Sequence, residues 1–203
     1  TNEKNLSFYN ECKQDYDHLY SLISKKIPFS NIWLAYELSP RIPEGSVMHY
    51  AILNSLRAWS FFETPNTVRG YSNVGGFGID GNISALIGAS LYNKDRLYFG
   101  IIGDLAFFYD MNTLGNRHVG KNVRILLVNN GKGMEFRNYT HPASRFSDVL
   151  VDQYMDGAGH FGQKSISLVR HYAEDLGYEY LTASCKVSFS KNVERFLIPE
   201  ITD

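Results

Sequence analysis

Cysteine is scarce in this chain: its 203 residues include only Cys12 and Cys185, far apart and outside any metal-binding spacing. A disulfide framework is therefore not expected, whereas a reducing, cytoplasmic setting is. The net charge is −1 and no long basic stretch occurs, so nucleic-acid binding has little electrostatic support. No apolar run approaches the length of a membrane span and no signal-peptide pattern opens the chain, so we expect no membrane role.

What the chain does contain is a strand–helix–strand pattern in its middle. Residues 97–102 and 124–128 are apolar runs rich in β-forming residues, as expected for strands buried on both faces. Between them, apolar residues recur at steps of three and four, which predicts a helix on a sheet; they are Phe107, Phe108, Met111, Leu114 and His118/Val119. The pattern predicts a βαβ unit within one α/β domain.

Polar residues stand where each of these two strands ends. Asp104 follows the first strand, and Asn129 and Asn130 follow the second. Ligands of open parallel sheets bind beyond the carboxyl ends of the strands, so we expect these side chains at one rim. Carboxylate and carboxamide oxygens suit Mg²⁺ with a bound diphosphate, and Gly103 lets a bulky anion approach the backbone. The alternative is that Asp104 caps the next helix and the asparagines merely end a strand.

The remaining segments alternate between helical and strand-like patterns. Apolar periodicity predicts helices over 8–23, 32–38 (N-cap Ser30), 54 to about 63, 82–89, 164–176 and, from the N-cap Ser190, to Phe196. Short apolar runs predict strands over 46–52, 68–73 and 178–182, with no strand after the last helix. Residues 131–159 are expected to be an irregular cover over the site, where His141 and His160 are solvated rather than catalytic.

Asn54 and Ser55 form a candidate anion site, because they begin a helix directly after a strand. Free amides and the helix dipole favour negative charge at such a position. Ordinary helix capping explains the same residues equally well.

Four glycines occur within residues 75–81, which suggests close approach of the backbone to a ligand or another chain. Gly76, Gly78 and Gly81 match the Gly-x-Gly-x-x-Gly spacing of dinucleotide-binding folds. A nucleotide- or dinucleotide-binding Rossmann-like module without catalytic activity is therefore the alternative function. It lacks a clear acidic residue for the ribose at the end of the next strand.

The segment Gly103-Asp104-Leu105, followed 26 residues after Asp104 by Asn130 at the end of an apolar strand, resembles a known cofactor motif. It is the diphosphate-and-metal motif of the thiamine diphosphate-dependent enzymes. The resemblance implies thiamine diphosphate and Mg²⁺ as cofactors. It also implies three protein ligands for the metal, which are the carboxylate of Asp104, the side chain of Asn130 and the backbone carbonyl of Lys132.

Two further segments resemble one family within these enzymes, the succinyl-enolpyruvyl-hydroxycyclohexene-carboxylate synthases of menaquinone biosynthesis. Asn54-Ser55-Leu56 matches Asn-Ser-Leu of that family, and residues 72–81 are similar to its Ser-Asn-Arg-Gly-Ala-Ser-Gly-Ile-Asp-Gly. Residues 109–112, Tyr-Asp-Met-Asn, are similar to its Tyr-Asp-Leu-Asn.

The resemblance assigns roles to individual residues. Ser55 and Leu56 would meet the diphosphate, Ile79 would be the apolar wedge that bends the cofactor, and Phe136 would lie near its rings. The cofactor-binding residues that it implies are Asn54, Ser55, Leu56, Gly78, Ile79, Asp80, Gly103, Asp104, Leu105, Ala106, Asn130, Met134 and Phe136.

Three positions depart from the synthase pattern. Trp59 and Val74 stand where the family has arginines that hold substrate carboxylates, while Arg57 and Arg69 lie nearby as candidate replacements. Glu135 stands in place of an apolar residue beside the thiamine rings. These departures do not affect the residues of the cofactor site, but they leave the identity of the substrate undetermined.

The resemblance implies a three-layer α/β/α sandwich with a mainly parallel sheet. In such enzymes this fold binds the diphosphate, and a second domain binds the aminopyrimidine and supplies the glutamate for ylide formation. Residues 1–203 are thus expected to be a single domain, as a fragment or subunit of a 2-oxoacid decarboxylase or carboligase. No catalytic residue is assigned, and the expected partners are the pyrimidine-binding domain and further copies in a homo-oligomer.

Overall fold

Four parallel strands form the sheet of the computed structural model, which describes residues 3–23, 26–159 and 165–201. The strands are β1 Val47–Tyr50, β2 Arg69–Ser72, β3 Tyr98–Gly103 and β4 Val123–Val128. Their order is β2-β1-β3-β4, and each neighbouring pair is parallel. The register pairs Tyr50 with Ile101 and Gly103 with Val128, so β1, β3 and β4 end at one edge of the sheet.

Helices connect the strands and cover both faces of the sheet. In the described residues they are α1 Glu3–Leu22, α2 Asn31–Leu38, α3 Asn54–Trp59, α4 Asn82–Ser90, α5 Asp104–Asp110, α6 Asp148–Tyr154, α7 Leu168–Asp175 and α8 Lys186–Leu197. Short 3₁₀ segments lie at Ser39–Arg41, Met111–Gly115, Met134–Arg137 and Pro142–Arg145. The Ser30 side chain accepts from the Trp33 amide and caps α2, as predicted.

The sheet separates two apolar layers, because successive residues of a buried strand point to opposite faces. Phe99 and Ile101 belong to the core shared with α2, α3 and α8, whereas Ile102 belongs to the core shared with α4 and α5. Five of the six residues of β3 are buried, in agreement with its unbroken apolar sequence. This arrangement confirms the three-layer α/β/α sandwich with a mainly parallel sheet.

The side on which the next strand is added to the sheet changes between β1 and β3. From β1 the chain crosses to β2 on one side, and from β3 it crosses to β4 on the other. Such a switch point opens a crevice at the carboxyl ends of the two central strands. Residues that follow β1 and β3 therefore lie on either side of this crevice.

The helix predicted to reach Val119 was too long. Helix α5 ends at Asp110 and passes into the 3₁₀ segment Met111–Gly115. The reason is local: the Asp110 carboxylate accepts a hydrogen bond of 2.7 Å from the Thr113 hydroxyl, which tightens the turn.

Residues 131–159 are more regular than expected, since α6 forms within them. Ser147 caps α6 by accepting from the Leu150 amide at 3.4 Å. Helix α7 begins at Leu168 rather than at residue 164; Lys164 and His160 lie outside the described residues.

Two predictions near the carboxyl end were wrong. Residues 178–182 form no strand, because side chains of α8 bond to this segment in place of a neighbouring strand. Glu179 pairs with Arg195, and the Thr182 carbonyl accepts from Asn192 at 2.8 Å. Ser190 lies inside α8, where its hydroxyl donates to the Lys186 carbonyl. The N-cap is Cys185, whose amide donates to the Ser188 hydroxyl at 3.1 Å.

Both cysteines are free and exposed. Within residues 3–23, 26–159 and 165–201, none of the helices combines the length and apolarity that crossing a membrane requires.

His49 is a buried titratable group at the centre of the sheet. It lies on β1, is 6% exposed, and its Nε2 has no hydrogen-bond partner. Burial lowers the pKa of His49, because the charged imidazolium cannot be solvated there.

We therefore expect the free energy of unfolding to decrease as the pH is lowered, because His49 takes up a proton more readily in the unfolded chain. Its folded pKa lies below its unfolded value near 6.5, so the stabilisation is fully present above pH ~6.5 and is lost as the pH falls toward the folded pKa. Urea unfolding at a series of pH values between about 7 and 5 measures this slope.

His49→Leu, which removes the titrating ring, should flatten the slope in that window, whereas His171→Gln on the surface of α7 should leave it unchanged. Equal slopes for wild type and His49→Leu would contradict the assignment.

Candidate functional site

Asp104 lies where β3 passes into α5. Its carboxylate is only 2% exposed, and Oδ2 accepts a hydrogen bond of 2.5 Å from the backbone amide of Gly131, which follows β4. Oδ1 accepts from the Leu105 amide at 2.9 Å, a local bond within the first turn of α5, whose N-cap residue is Gly103. A carboxylate offers about four acceptor positions, so these hydrogen bonds are compatible with metal ligation.

Asn130 and Lys132 flank Gly131, so the Asp104–Gly131 hydrogen bond brings both of them next to Asp104. Asn130 is exposed, and its Oδ1 accepts a long 3.5 Å hydrogen bond from the Lys132 amide. No group of three or more His, Cys, Asp or Glu side chains in the described part of the chain could hold a metal. A metal at this rim would therefore need the Asn130 amide and a backbone carbonyl beside the Asp104 carboxylate.

Helix α3 begins on the other side of the crevice, directly after β1. Leu53, which precedes it, has φ 66° and ψ −123°, a conformation that costs a residue with a side chain roughly 1–3 kcal/mol. The Asn54 carbonyl accepts a hydrogen bond of 3.1 Å from Asn31, and Ser55 is buried. The strained entry fixes the direction of the first turn of α3 toward the crevice edge.

The glycine-rich segment after β2 forms an open cleft of about 460 Å³, lined by Ser72, Asn73, Gly75, Gly76, Gly78 and Asp80. The Asp80 carboxylate folds back over Gly78, where a Cβ atom would overlap its Oδ1. Ile79 is half-buried and packs on the core between the sheet and α4. The buried Asn82 donates to the Ile79 carbonyl at 2.5 Å, which holds Ile79 in place.

Asp110 ties this segment to α5. Its carboxylate accepts from the Ser84 amide at 2.7 Å, the Ser84 hydroxyl at 2.5 Å and the Thr113 hydroxyl at 2.7 Å. Burial by itself would raise the pKa of Asp110, but these hydrogen bonds outweigh it and hold the pKa below its usual range. The first turn of α4 is thereby anchored to the helix that carries Asp104.

An ion pair joins α3 to the loop after β4. The two terminal nitrogens of Arg57, Nη1 and Nη2, donate to Glu135, and the Asn138 side-chain amide donates to Glu135 at 3.1 Å and to the Asn54 side chain at 3.4 Å. Glu135 therefore has a charged partner, Arg57, at the position where the resemblance implies an apolar residue.

The structure separates the two arginines that could replace the missing substrate arginines. Arg57 lies beside the crevice in its ion pair with Glu135. Arg69 begins β2, so it stands about 10 Å from the carboxyl end of that strand. Trp59 is buried in the core, and Val74 is exposed beside the glycine-rich segment.

The remaining predicted cofactor residues lie around the same rim. Leu105 is half-buried and packs beside Gly133, whereas Ala106 is buried in the core between the sheet and α4. Met134 is exposed, and Phe136 packs edge-on against His141 with 5.2 Å between ring centroids. The His141 Nδ1 accepts from the Ala143 amide at 3.1 Å, which gives this histidine a capping role.

A group of charged residues that sequence reasoning missed holds the loop after β4. Arg137 donates to Asp148 at 2.5 Å, to Asp156 at 3.1 Å and to Asp152, and Lys132 donates to Asp152 at 2.6 Å. Lys132, followed by Arg137, holds the pKa of Asp152 below its usual range. Asp148 and Asp152 lie four residues apart on α6, and Asp156 follows four residues later in the turn after that helix. This regular spacing of the aspartates was the available signal.

Comparison with known proteins gives a consistent set of relatives. The chain is 32% identical over 178 residues to a 2-succinyl-5-enolpyruvyl-6-hydroxy-3-cyclohexene-1-carboxylate synthase of Bacteroides fragilis, covering 87% of this chain and 30% of that protein. It is 36% identical over 120 residues to the synthase of Christiangramia forsetii, covering 59% of this chain and 21% of that protein. The chain thus spans less than a third of the length of these relatives. No protein-family model matches it.

The fold is also found in a solved structure. A thiamine diphosphate-dependent 4-hydroxybenzoylformate decarboxylase of Rhodococcus jostii RHA1 superposes with a TM-score of 0.57 at 19% sequence identity. The match covers 87% of this chain and 31% of that one. At this identity the likeness supports the α/β fold.

Replacing Asp110 by alanine should destabilise the protein. The Ser84 amide and the two hydroxyls would lose a charged acceptor, and because hydrogen bonds to charged groups contribute more than neutral ones, we expect a loss of about 2 kcal/mol. Urea unfolding of Asp110→Ala measures the loss.

Asp15→Ala, on the exposed surface of α1, is the matched control and should change the free energy of unfolding by less than about 0.5 kcal/mol. A loss of that small size in Asp110→Ala as well would refute the anchoring role.

Proposed function

Because this chain is a homologue of the 2-succinyl-5-enolpyruvyl-6-hydroxy-3-cyclohexene-1-carboxylate synthases, among the thiamine diphosphate-dependent enzymes, we propose that it is a diphosphate- and Mg²⁺-binding domain. The enzyme that contains it would be a 2-oxoacid decarboxylase or carboligase. The observation that carries the proposal is the hydrogen bond between Asp104 and Gly131, which joins the ends of β3 and β4 at the crevice.

The residues at this rim fit a hydrated Mg²⁺ with a diphosphate. Asp104 supplies a carboxylate, Asn130 an amide oxygen and the loop backbone at Lys132 a carbonyl, which are hard oxygen ligands. Three protein oxygens leave room in an octahedral shell for phosphate oxygens and water. The donor set therefore suits Mg²⁺ and would be a poor match for a metal that prefers thiolate or imidazole.

Other residues of the chain would bind and orient the cofactor. The first turn of α3, with Ser55 and Leu56, would meet the diphosphate across the crevice from Asp104, and Ile79 would support the bent cofactor from the face of α4. When bound, thiamine diphosphate supplies the carbon nucleophile and electron sink of the reaction. We assign no proton transfer to this chain.

The dinucleotide-binding alternative has less support from the topology. Its fingerprint needs the glycine turn directly after the central strand, where the pyrophosphate meets a helix N-terminus at the switch point. Here Gly76, Gly78 and Gly81 follow β2, the edge strand, and the turn after β1 carries Leu53 and Asn54 instead.

We extend the proposal to the partner and the setting. The chain spans about 30% of the relatives, so the pyrimidine-binding domain would be supplied by another domain or subunit, in a homo-oligomeric assembly. Two free, exposed cysteines favour a reducing, cytoplasmic location.

The proposal predicts Mg²⁺-dependent binding of thiamine diphosphate that depends on Asp104. Calorimetric titration of the full-length protein should give heat with cofactor and Mg²⁺, and Asp104→Asn should weaken binding at least tenfold, because the amide carries no charge to hold the metal.

Asp95→Asn, an exposed carboxylate at the amino end of the sheet, serves as the control and should bind as the wild type does. Absence of metal-dependent binding in the wild-type full-length protein would disprove the proposed function. Stronger binding of NAD would favour the dinucleotide alternative.

Self-association of the 203-residue chain is a second expectation. Tyr71, Val74 and Phe77 are exposed next to the cleft, where a partner domain would cover them. The mass measured by light scattering should rise with concentration, and Phe77→Ser should reduce that rise. Tyr92→Ser removes an exposed aromatic elsewhere and should have no effect; a monomer at all concentrations would contradict the expectation.

A further inference from the structure

The loop between β4 and the 3₁₀ segment Met134–Arg137 is held from two sides by aspartates. On one side, Asp104 accepts from the Gly131 amide at 2.5 Å. On the other, the backbone carbonyl of Asp156 accepts from the Gly133 amide, also at 2.5 Å. Lys132, whose carbonyl is the proposed third metal ligand, is the residue between these two anchored amides.

Asp156 is itself fixed by its surroundings. It is 0% exposed, and its carboxylate accepts from Arg137 at 3.1 Å and from the Ala158 amide at 3.0 Å. A buried carboxylate requires such partners, because an unpaired buried charge is strongly destabilising. Arg137 therefore compensates the charge of the buried Asp156 carboxylate. In this way it also holds the Asp156 backbone carbonyl in position.

The turn after α6 lies close to the Gly133 backbone. A Cβ atom on Gly133 would stand 3.2 Å from the Asp156 carbonyl oxygen and 3.2 Å from Leu105 Cδ1. The turn after α6 thus touches both the loop after β4 and the residue that follows Asp104. Movement of Asp156 would be transmitted directly to the backbone at residues 131–133.

Arg137 also binds α6 as a whole. It reaches Asp148 and Asp152 on that helix, and Asp152 in turn accepts from the Lys132 ammonium at 2.6 Å. The side chain of Lys132 and the amide of Gly133 are consequently both attached to the unit formed by α6 and Arg137.

We propose that Arg137 and Asp156 are positioning residues of the metal site, which set the Lys132 carbonyl for Mg²⁺ by holding α6 against the loop. The inference rests on the proposed function, but the loop geometry can be tested without the cofactor. Partners that orient metal ligands from outside typically change metal affinity 10–100-fold when they are replaced.

The first measurement is amide hydrogen exchange of the full-length protein without cofactor. Arg137→Gln should speed exchange in the segment 131–133, while the amides of β3 keep their wild-type protection. Arg145→Gln, an exposed arginine of the neighbouring 3₁₀ segment, is the matched control and should change neither. Unchanged exchange at residues 131–133 in Arg137→Gln would overturn the inference.

The second measurement is thiamine diphosphate affinity by calorimetry with Mg²⁺ and with Ca²⁺. Mg²⁺ demands near-ideal octahedral geometry and Ca²⁺ does not, so a displaced carbonyl should weaken the Mg²⁺ complex more. We expect Arg137→Gln to lose 10-fold or more with Mg²⁺ and less with Ca²⁺. A merely structural role would lower both equally, and that result would overturn the inference.

Two outcomes separate this inference from the proposed function. If the wild type binds no cofactor with either metal, the proposed function fails and the positioning role fails with it. If the wild type binds and Arg137→Gln binds equally well, only the positioning role fails. Should Arg137→Gln not fold, Arg137→Lys serves instead, because lysine keeps the positive charge beside Asp156 but cannot bond several aspartates at once. Arg137→Lys must then change the exchange at residues 131–133 and the Mg²⁺-dependent affinity in the same direction, by a smaller amount.

Discussion

The hydrogen bond from the Gly131 amide to the Asp104 carboxylate is the contact on which the arrangement of the binding edge depends. It can form only because β3 and β4 are parallel neighbours in a register that ends Gly103 beside Val128. A carboxylate that is 2% exposed needs hydrogen-bond donors in place of water, and backbone amides supply them. Burial of Asp104 thus selects the path of the loop after β4. The turn after α6 and the Arg137 cluster then pack on that path.

Much of the central fold could be predicted from the sequence, because its signals are local. The unbroken apolar run of β3 indicates a strand that is buried on both faces of the sheet, and composition alone is enough for that prediction. The polar residues at the ends of β3 and β4 could be assigned to one rim because parallel strands share a direction. Neither step requires knowledge of side-chain contacts, but the closeness of Asp104 and Asn130 along that rim depends on β3 and β4 being neighbours in the sheet.

The errors arose where a distant partner decides the local structure. Serine is a common N-cap residue, which is why Ser190 was predicted to begin the helix. The Cys185 amide, however, donates to the Ser188 hydroxyl, so the helix begins at Lys186, before Ser190. Residues 178–182 have the composition of a strand, yet Glu179 is held by Arg195 of α8 instead of joining the ladder. Arg137 meets aspartates between 11 and 19 positions away, and although their regular spacing is visible in the sequence, no local pattern identifies Arg137 as their partner.

Trp59 and Val74 depart from the pattern of the similar synthases, and the two arginines nearby differ in exposure and in distance from the crevice. The side chain of Arg57 is 51% exposed, and an ion pair in that environment contributes about 1 kcal/mol or less, so a substrate carboxylate could compete with Glu135 for it at small cost. Recruiting Arg69 would instead require its guanidinium to reach along the whole length of β2, about 10 Å, past Tyr71. Of these two arginines, Arg57 is the one beside the crevice, and its ion pair with Glu135 is the contact that any anion bound to it would have to displace.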